Sequence, residues 1–220
     1  MITSYGIILY TIAKNKKVFL IGKRMDSLEY LDMFNTRCPI EKVEMYVYKC
    51  TPWEKEKLRA DNFEDIYDDS FAGHRNYNEL WTRWQKIRSV VMKALKNGQS
   101  LPTSCMYSLP KGKKKYGETQ ENAALREFEE ETRIDVSRIQ KVESMSHVHI
   151  FRGSDDKQYK TIYYVYKIDS PIEIQQENRR SPYEHRKKCV SAEMEYMLWV
   201  DIDEAPEYLS SDIVDILKKV

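Results

Sequence analysis

Three glutamates, Glu127, Glu130 and Glu131, are the residues of this 220-residue chain whose spacing most strongly suggests chemistry. A helix turns by about 100° per residue, so positions i, i+3 and i+4 lie on one face, within an arc of about 100°. Carboxylates this close repel one another, and the macrodipole disfavours anions in the last turns of a helix. A divalent cation reverses both effects, because Mg²⁺ and Mn²⁺ take carboxylate oxygens and usually carry substrate phosphates. The spacing therefore predicts a Mg²⁺ or Mn²⁺ site that acts on a phosphate compound.

The helix that carries these glutamates is predicted to begin after Thr119, whose side chain can cap the N-terminus. The run that follows is rich in strong helix formers and contains no Pro or Gly as far as Arg133. Leu125 and Phe128 point away from the acidic face, so we expect them to lie on the apolar side of the helix.

A turn precedes this helix at residues 109–113, Leu-Pro-Lys-Gly-Lys, in which Lys111 and Lys113 could reach a phosphate. Glu118 precedes Arg126 by eight residues. This spacing allows a loop carboxylate to fold back onto the guanidinium and fix the loop to the helix.

The stretch from Gly112 to Ile134 resembles the Nudix box, G-x5-E-x7-R-E-U-x-E-E-x-G-U, in which U is apolar. The matching residues are Gly112, Glu118, Arg126, Glu127, Phe128, Glu130, Glu131 and Ile134. Arg133 stands where the second glycine of the box belongs. If the helix ends there in a left-handed residue, arginine costs about 1 kcal/mol or more relative to glycine. A solvated acidic helix face and a degenerate, inactive box are the competing interpretations.

The charge balance, the cysteines and the apolar runs of the chain indicate what kind of protein this is. The 36 basic and 35 acidic side chains nearly cancel, so binding of nucleic acid would need local basic patches. The four cysteines form no CxxC motif, which predicts free thiols in a reducing compartment. Residues 1–10 lack the features of a signal peptide, and the longest apolar run, residues 6–12, is too short to span a bilayer. We therefore expect a soluble cytoplasmic protein.

Strand patterns lie on both sides of a helical region. Residues 4–12 and 17–23 are apolar and β-branched, and they predict two paired strands that open a mixed sheet. A short strand is expected at residues 105–109, and residues 141–151 and 158–168 predict a hairpin with its turn at residues 153–156.

Three further features of the sheet region concern charged groups. In a last strand that ends near Trp199, Glu193 and Glu195 share a face by the two-residue period, and a closing helix follows Ser210 or Ser211. Arg24 is interpreted as an edge charge rather than a phosphate contact. His147 and His149 are interpreted as structural or substrate-lining, because no third zinc ligand is evident.

Residues 27–98 predict a helical insertion. Thr51 to Glu54 form a capping box with Pro at the first helical position, and a longer helix capped by Asn76 or Asn78 ends at Asn97-Gly98. The many aromatic residues here are interpreted as core rather than as a cage for a methylated purine. The longer helix would follow an RNA backbone if Arg83, Lys86 and Lys93 share a face.

The polar segment 176–188 is interpreted as a solvated loop, with an RNA-contacting loop as the alternative. The resulting domain organisation places a catalytic domain at residues 1–26 and 99–220, and the insertion at residues 27–98.

The order of these elements, the Pro-Lys-Gly-Lys turn and the spacing from Glu193 to Trp199 resemble the mRNA-decapping Nudix enzymes of large cytoplasmic DNA viruses. The resemblance implies an α+β Nudix fold, in which a mixed sheet lies between helices, with a helical subdomain that binds RNA. It implies capped RNA as partner, no membrane, no obligate protein partner, and a location in the host cytoplasm. The reaction implied is m7GpppN-RNA plus water giving m7GDP and 5′-monophosphate RNA.

The same resemblance implies roles for individual residues. Glu127, Glu130 and Glu131 would hold Mg²⁺ or Mn²⁺, and Glu131 or its neighbour would activate water. Glu193 would be a further metal ligand, with Glu195 as its substitute. The phosphate would be bound by Lys111, Gly112 and Lys113, and the box would be held together by Glu118 and Arg126.

Two rival functions remain open. A Nudix enzyme for small substrates, such as diphosphoinositol polyphosphates or nucleoside diphosphate derivatives, would use the same glutamates. A catalytically inactive RNA-binding protein with a Nudix fold is the other.

Overall fold

The computed structural model describes residues 1–72, 75–103, 105–153, 157–178, 181–183, 186 and 188–220. The chain forms two compact units. The first comprises Met1–Met25, Tyr107–Glu177 and Cys189–Val220, and the second comprises Asp26–Met106 and Asn178–Lys188. Among the helices described, none has both the length and the apolar character needed to cross a bilayer.

The first unit contains a seven-stranded mixed sheet. Its strands are β1 (Ile2–Ala13), β2 (Lys16–Arg24), β3 (Tyr107–Ser108), β4 (Lys111–Gly112), β5 (Gln140–Arg152), β6 (Gln158–Lys167) and β9 (Met194–Asp201). Strands β1 and β2 are antiparallel and joined by Lys14 and Asn15, both in left-handed conformations (φ 49° and 63°). Strand β6 lies parallel to β1 and antiparallel to β5, whereas β9 pairs with β2 and β4 with β1. The predicted strand pair, hairpin and mixed sheet are confirmed, and the strand expected at residues 105–109 covers two residues only.

Helices cover both faces of this sheet. They are α6 (Gln120–Thr132), the 3₁₀ helix Val136–Arg138, α7 (Ala205–Tyr208) and α8 (Ser211–Leu217). On one face, Phe128 of α6 packs in a core with Ile7 and Leu20. On the other, Leu217 of α8 shares a core with Ile8. Because neighbouring strand residues point to opposite faces, β1 contributes to both cores. The predicted α+β Nudix fold, a mixed sheet between helices, is confirmed.

The second unit is helical. Its helices are α1 (Leu28–Met33), α2 (Ile40–Lys49), α3 (Pro52–Arg59), α4 (Phe63–Ser70) and α5 (Tyr77–Asn97). The capping box of Thr51 and Glu54 is present, Asn76 caps α5, and Gly98 ends α5 in a left-handed conformation with φ 67°. Trp84 is 1% exposed and stacks on Phe34 at 5.8 Å, as the core interpretation of the aromatic residues predicts.

Two short strands, β7 (Glu177–Asn178) and β8 (Lys188–Cys189), form a second sheet at either end of the polar segment. Residues 179–180, 184–185 and 187 of that segment, and 154–156 of the predicted hairpin turn, lie outside the described residues.

Four charged side chains of the second unit form a buried quartet, Asp26, Lys57, Asp69 and Arg186. Nζ of Lys57 lies 2.8 Å from Asp69 and 3.4 Å from Asp26, and Arg186 lies 3.0 Å from each of the same two carboxylates. Arg186 is 6% exposed, so the interpretation of residues 176–188 as a solvated loop is wrong at this position. The reason is that two buried aspartates need a second cation.

Candidate active site

Helix α6 presents the candidate catalytic residues because its ends and its apolar face are fixed. Oγ1 of Thr119 accepts a hydrogen bond from the Asn122 backbone N–H at 3.1 Å, as predicted. Phe128 is fully buried, which leaves Glu127 and Glu130 on the opposite, more exposed side. The helix ends at Arg133 in a left-handed conformation with φ 61°, so arginine occupies the conformation that favours glycine.

Arg126 connects the loop before α6 to the helix. Its Nε donates to Oε1 of Glu118 at 2.6 Å, and its Nη2 donates to the Lys113 carbonyl at 3.0 Å. Glu118 also accepts from the Lys115 backbone N–H at 2.8 Å. The hydrogen bond with Arg126 is the main reason that the pKa of Glu118 is lowered to about 2. The loop carboxylate is thus ionised and held, as the spacing of the two residues predicts.

The same guanidinium also contacts two of the predicted metal ligands. Nη1 of Arg126 lies 2.8 Å from Glu127 and 3.0 Å from Glu130. We call Arg126, Glu118, Glu127 and Glu130 the box cluster. A single cation is shared here by three carboxylates, with Lys115 at 3.4 Å from Glu130 as a more exposed addition. No pattern in the sequence identifies Lys115, because its side chain approaches Glu130 only after the loop folds back.

The carboxylate of Glu127 lies against Gly112, in the space that a side chain at this position would occupy. A Cβ at this position would lie 2.0 Å from the carboxyl carbon of Glu127 and 2.2 Å from one of its oxygens. The φ of Gly112 is not in the left-handed region, so the need for glycine is steric rather than conformational. The first glycine of the box therefore positions Glu127.

Glu131 lies on the buried side of the acidic face and is 6% exposed. Its Oε2 accepts from the Lys111 backbone N–H at 3.1 Å. Burial, and next the negative charge of Glu193, raise the pKa of Glu131 to about 8, while Arg24 and Lys111 act in the opposite direction. The tertiary structure thus brings Glu193, Lys111 and Arg24 to Glu131.

Lys111 and Arg24 supply positive charge beside this carboxylate. Burial of the ammonium group, and next the charge of Arg24, lower the pKa of Lys111. Arg24 lies 3.4 Å from Glu193, and its Nε is buried with no hydrogen-bond partner among the described residues. The interpretation of Arg24 as an edge charge was incomplete, because strand pairing between β2 and β9 determines which charges it meets.

Two other predicted residues, Glu195 and Lys113, make different contacts from those that their neighbours Glu193 and Lys111 make. Strand β9 begins at Met194, so Glu193 lies before the strand rather than within it, and the pairing of β2 with β9 shifts register between Lys23 and Arg24. Glu195 instead forms an ion pair with Lys23 at 2.9 Å. Lys113 has an exposed side chain, and its carbonyl is the group that Arg126 contacts.

The donor set fits a hard divalent cation in its chemistry, because Glu127, Glu130, Glu131 and Glu193 offer carboxylate oxygens alone. Glu131 is buried and its pKa is raised, so a cation beside it would stabilise the ionised form. In the part of the chain that the structure describes, no three acidic, histidine or cysteine side chains converge as a metal site. Glu127 and Glu130 form ion pairs with Arg126. Both side chains would have to rotate away from Arg126 to bind a metal ion.

The two histidines of β5 are not part of a zinc site in the described chain. His149 stacks on Phe151 at 4.8 Å, and Phe151 stacks on Tyr159 at 5.3 Å. Burial is the main cause that lowers the pKa of His149, opposed by Asp212, whose carboxylate lies at 3.7 Å. The positive charge of Lys111 also lowers it, so this row of rings begins near the candidate site.

Comparison with known proteins places this geometry in a family. The model of the NUDIX domain matches residues 91–220, more than half of the chain. This chain belongs to the NUDIX domain family. It is therefore a Nudix hydrolase, and enzymes of this family generally use divalent ions such as Mg²⁺ or Mn²⁺.

A solved structure supports the fold. The binary complex of a C. elegans Ap4A hydrolase is similar, with a TM-score of 0.53 and 14% identity over 100% of this chain and 94% of that chain. The Nudix hydrolase RenU from M. smegmatis has a TM-score of 0.46 and 12% identity over 99% of this chain and 84% of its own. A comparison with curated protein sequences gives no match.

Proposed function

We propose that this Nudix hydrolase removes the 5′ cap of mRNA, with m7GpppN-RNA and water giving m7GDP and 5′-monophosphate RNA. The observation that carries the proposal is the position of Glu193. This carboxylate comes from the segment before β9, far from the box in sequence, and its charge acts directly on Glu131. A carboxylate added in this way to the box glutamates is what the resemblance to the decapping enzymes implies for Glu193.

When bound, Mg²⁺ or Mn²⁺ would neutralise phosphate oxygens and lower the pKa of a bound water. Glu127, Glu130, Glu131 and Glu193 would hold it. Lys111 and Arg24 place positive charge beside Glu131, where they would stabilise charge on the leaving phosphate. Glu130, which is half exposed, or Glu131 accepts the proton of the attacking water. Arg126 keeps the loop of Lys111 and Gly112 against α6 throughout.

The aromatic row of His149, Phe151 and Tyr159 supports a methylated purine as the base end of the substrate. Stacked rings attract a cationic purine through the negative potential of their faces. The row also lies in the same unit as the box, and the positive charge of Lys111 lowers the pKa of His149. A cap base held there would place its phosphates toward Lys111.

The test uses RNA labelled in the cap phosphates and incubated with Mn²⁺. The expected products are m7GDP and 5′-monophosphate RNA, and release of m7GMP alone would contradict the proposed bond. Glu130→Gln should reduce turnover by more than about a hundredfold, or about 2.7 kcal/mol, and leave RNA retention intact. Glu129→Gln is the matched control, since Glu129 is an exposed neighbour on the same helix. Equal hydrolysis by the Glu130→Gln variant would remove the catalytic assignment of Glu130. RNA binding without hydrolysis by the unmodified protein would favour an inactive RNA-binding protein.

The second candidate is hydrolysis of a small diphosphate compound. The similarity in fold to an Ap4A hydrolase along the whole chain makes dinucleoside polyphosphates the first small substrates to assay, with diphosphoinositol polyphosphates and nucleoside diphosphate derivatives next. Excess uncapped RNA distinguishes the candidates. It should inhibit decapping by competing for the RNA body, and cap hydrolysis that uncapped RNA leaves unchanged would favour the small-substrate enzyme.

A further inference from the structure

Strand β5 forms one edge of the sheet in the first unit. Among the described strands it pairs with β6 alone, and the ladder is regular over seven consecutive residue pairs, from Ser146 to Arg152. We call residues 146–152 the β5 edge. No backbone hydrogen bond found elsewhere in the described chain involves these residues. Because the backbone groups of an antiparallel strand alternate in direction, about half of those in the β5 edge point away from β6.

The part of β5 that precedes Arg152 lacks the features that keep edge strands from pairing. Residues 144–151 contain no Lys, Arg, Asp, Glu or Pro. Burial lowers the pKa of His147 and of His149, so both rings are uncharged at neutral pH. Natural proteins usually protect an edge strand with charged side chains, with Pro or with a covering segment, and an unprotected edge pairs with another strand.

The outer face of the β5 edge is apolar at its centre. Val148 is 51% exposed and Ile150 is 53% exposed. The two side chains point to the same face, because successive residues of a strand alternate between faces. Ser146 and Arg152 lie on that face at either end and are also exposed. A further strand paired with the β5 edge would place its side chains beside Val148 and Ile150 and remove both from water.

Strand β9, which pairs only with β2 among the described strands, is an edge strand of the same sheet and is protected. The Glu195 carbonyl accepts a hydrogen bond from the Val190 N–H at 3.2 Å and another from Nε2 of Gln176 at 2.8 Å. Glu195 and Asp201 add negative charge, and every residue of β9 is buried or half-buried. Exposure of apolar side chains along an unpaired edge is therefore particular to β5.

The β5 edge is complementary to a second copy of itself. When two copies pair antiparallel about a two-fold axis at residue 149, Val148 lies opposite the partner's Ile150, and this pair occurs twice. Ser146 then lies opposite the partner's Arg152, so no like charges meet. Two-fold registers centred one residue of the same face pattern away, at 148 or 150, put Ile150 opposite Ser146 or Val148 opposite Arg152. The register at 149 therefore buries the most apolar surface.

We propose that this protein forms a symmetric dimer through antiparallel pairing of two β5 edges about residue 149. The dimer goes beyond the proposed function, because the pairing needs neither a metal ion nor RNA. A two-fold interface uses the same edge of both copies, so the assembly closes at two. The pairing strands contribute about seven residues from each partner, fewer than the roughly 20–30 of a standard interface, so we expect a reversible, concentration-dependent dimer.

Sedimentation velocity of the unmodified protein, in EDTA and without RNA, tests the assembly. A dilution series from nanomolar to near-millimolar protein should show a reversible equilibrium between monomer and dimer. A monomer at every concentration overturns the proposal, and so does growth beyond the dimer.

Hydrogen exchange followed by peptide mass spectrometry tests the location of the interface. Amides of residues 146–152 should exchange more slowly in the dimer than in the monomer, and those of β9 should exchange at an unchanged rate. Protection that falls elsewhere, with none at residues 146–152, overturns the proposal.

Variants at exposed positions test the register. Val148→Lys combined with Ile150→Lys places lysine directly opposite lysine twice, so the dissociation constant should rise by about a hundredfold or more. Ile12→Lys is the matched control, because Ile12 is 57% exposed on β1 of the same sheet and lies outside the β5 edge. It should leave the dissociation constant within about twofold of that of the unmodified protein.

A second double variant, Val148→Glu combined with Ile150→Glu, should also be monomeric. An equal mixture of the two double variants should recover the dimer, because each lysine then lies opposite a glutamate. Unchanged association of the lysine variant, or a mixture that stays monomeric, overturns the proposed pairing. Since none of these measurements involves hydrolysis, failure here leaves the decapping proposal intact.

Discussion

The box cluster of the first unit and the buried quartet of the second use the same kinds of side chains but distribute charge differently. In the quartet, Lys57 and Arg186 each contact both aspartates, so two cations meet two anions out of solvent. In the box cluster, Arg126 contacts three carboxylates, the exposed Lys115 adds a contact to Glu130 only, and Glu130 has half of its side chain exposed. The charges of the quartet cancel and are buried, whereas the box cluster has more carboxylates than cations and is partly exposed to solvent.

This difference separates a structural network from a functional one. Buried ions are tolerated when each is compensated in place, and such a network loses stability when one member is removed. Carboxylates that share too few cations retain affinity for a further cation, as a metal-dependent hydrolase requires. The two clusters should therefore respond to substitution in opposite ways, the quartet in stability and the box in turnover.

The largest effect is expected from Lys57→Met. Loss of this ammonium leaves Asp26 and Asp69 with one cation in a buried site, which should lower the free energy of unfolding by about 3–5 kcal/mol. Urea denaturation measures the change. Lys16→Met removes an exposed lysine that also contacts two aspartates, and it should cost much less stability than Lys57→Met, because exposed ion pairs contribute little. Similar losses in both variants would mean that burial does not distinguish the quartet.

Gly112→Ala should have the next largest effect, on turnover rather than on stability. The new methyl group requires the Glu127 carboxylate to move, and displacement of a proposed metal ligand by about 1 Å can cost about a hundredfold in rate. Single-turnover kinetics at saturating Mn²⁺ measure the chemical step. Gly117→Ala adds a methyl group into open space at φ +82°, so a loss that it causes reflects backbone strain rather than contact with Glu127. A full rate in Gly112→Ala would show that Glu127 is free to adjust.

Arg126→Lys tests whether one cation suffices for the box cluster. Lysine keeps the charge but cannot contact Glu118, Glu127 and the Lys113 carbonyl together, because it lacks the planar fork of guanidinium. Turnover should fall about tenfold, equivalent to about 1.4 kcal/mol, with little change in unfolding free energy. A large loss of stability with unchanged turnover per folded molecule would reverse the comparison and make the box cluster structural.

Arg133→Gly should have the smallest effect. Glycine removes the cost of a left-handed arginine, about 1 kcal/mol, but also the hydrogen bond from Arg133 Nε to the Val190 carbonyl at 3.3 Å, about 0.5 kcal/mol. A net gain of about 0.5 kcal/mol should raise Tm by about 1–2 °C in calorimetry. Turnover should remain within about twofold, because no metal ligand moves. A large change in turnover would show that the departure from the box glycine adjusts Glu131.

Local patterns predicted the fold well wherever the determining interactions are close in sequence. The capping box at Thr51, the caps at Thr119 and Asn76, the left-handed ends at Gly98 and Arg133, and the spacing of Glu118 from Arg126 depend on neighbours within about two helical turns. Strand register did not follow from pattern alone. A shift in the β2–β9 register between Lys23 and Arg24 changes which side chains face the site. The two-residue period, which placed Glu193 and Glu195 on one face, does not predict this shift.

What the sequence by itself determined is the helix of the Nudix box, the face that carries Glu127, Glu130 and Glu131, and the alternation that makes a mixed sheet. Only the tertiary structure decided that Arg126 is shared among three carboxylates, that Glu193 rather than Glu195 acts on Glu131, and that Arg83 and Arg186 are buried. The physical reason is that periodicity gives the direction of a side chain along its own element. The charge that the side chain meets, and the water it loses, depend on elements distant in sequence.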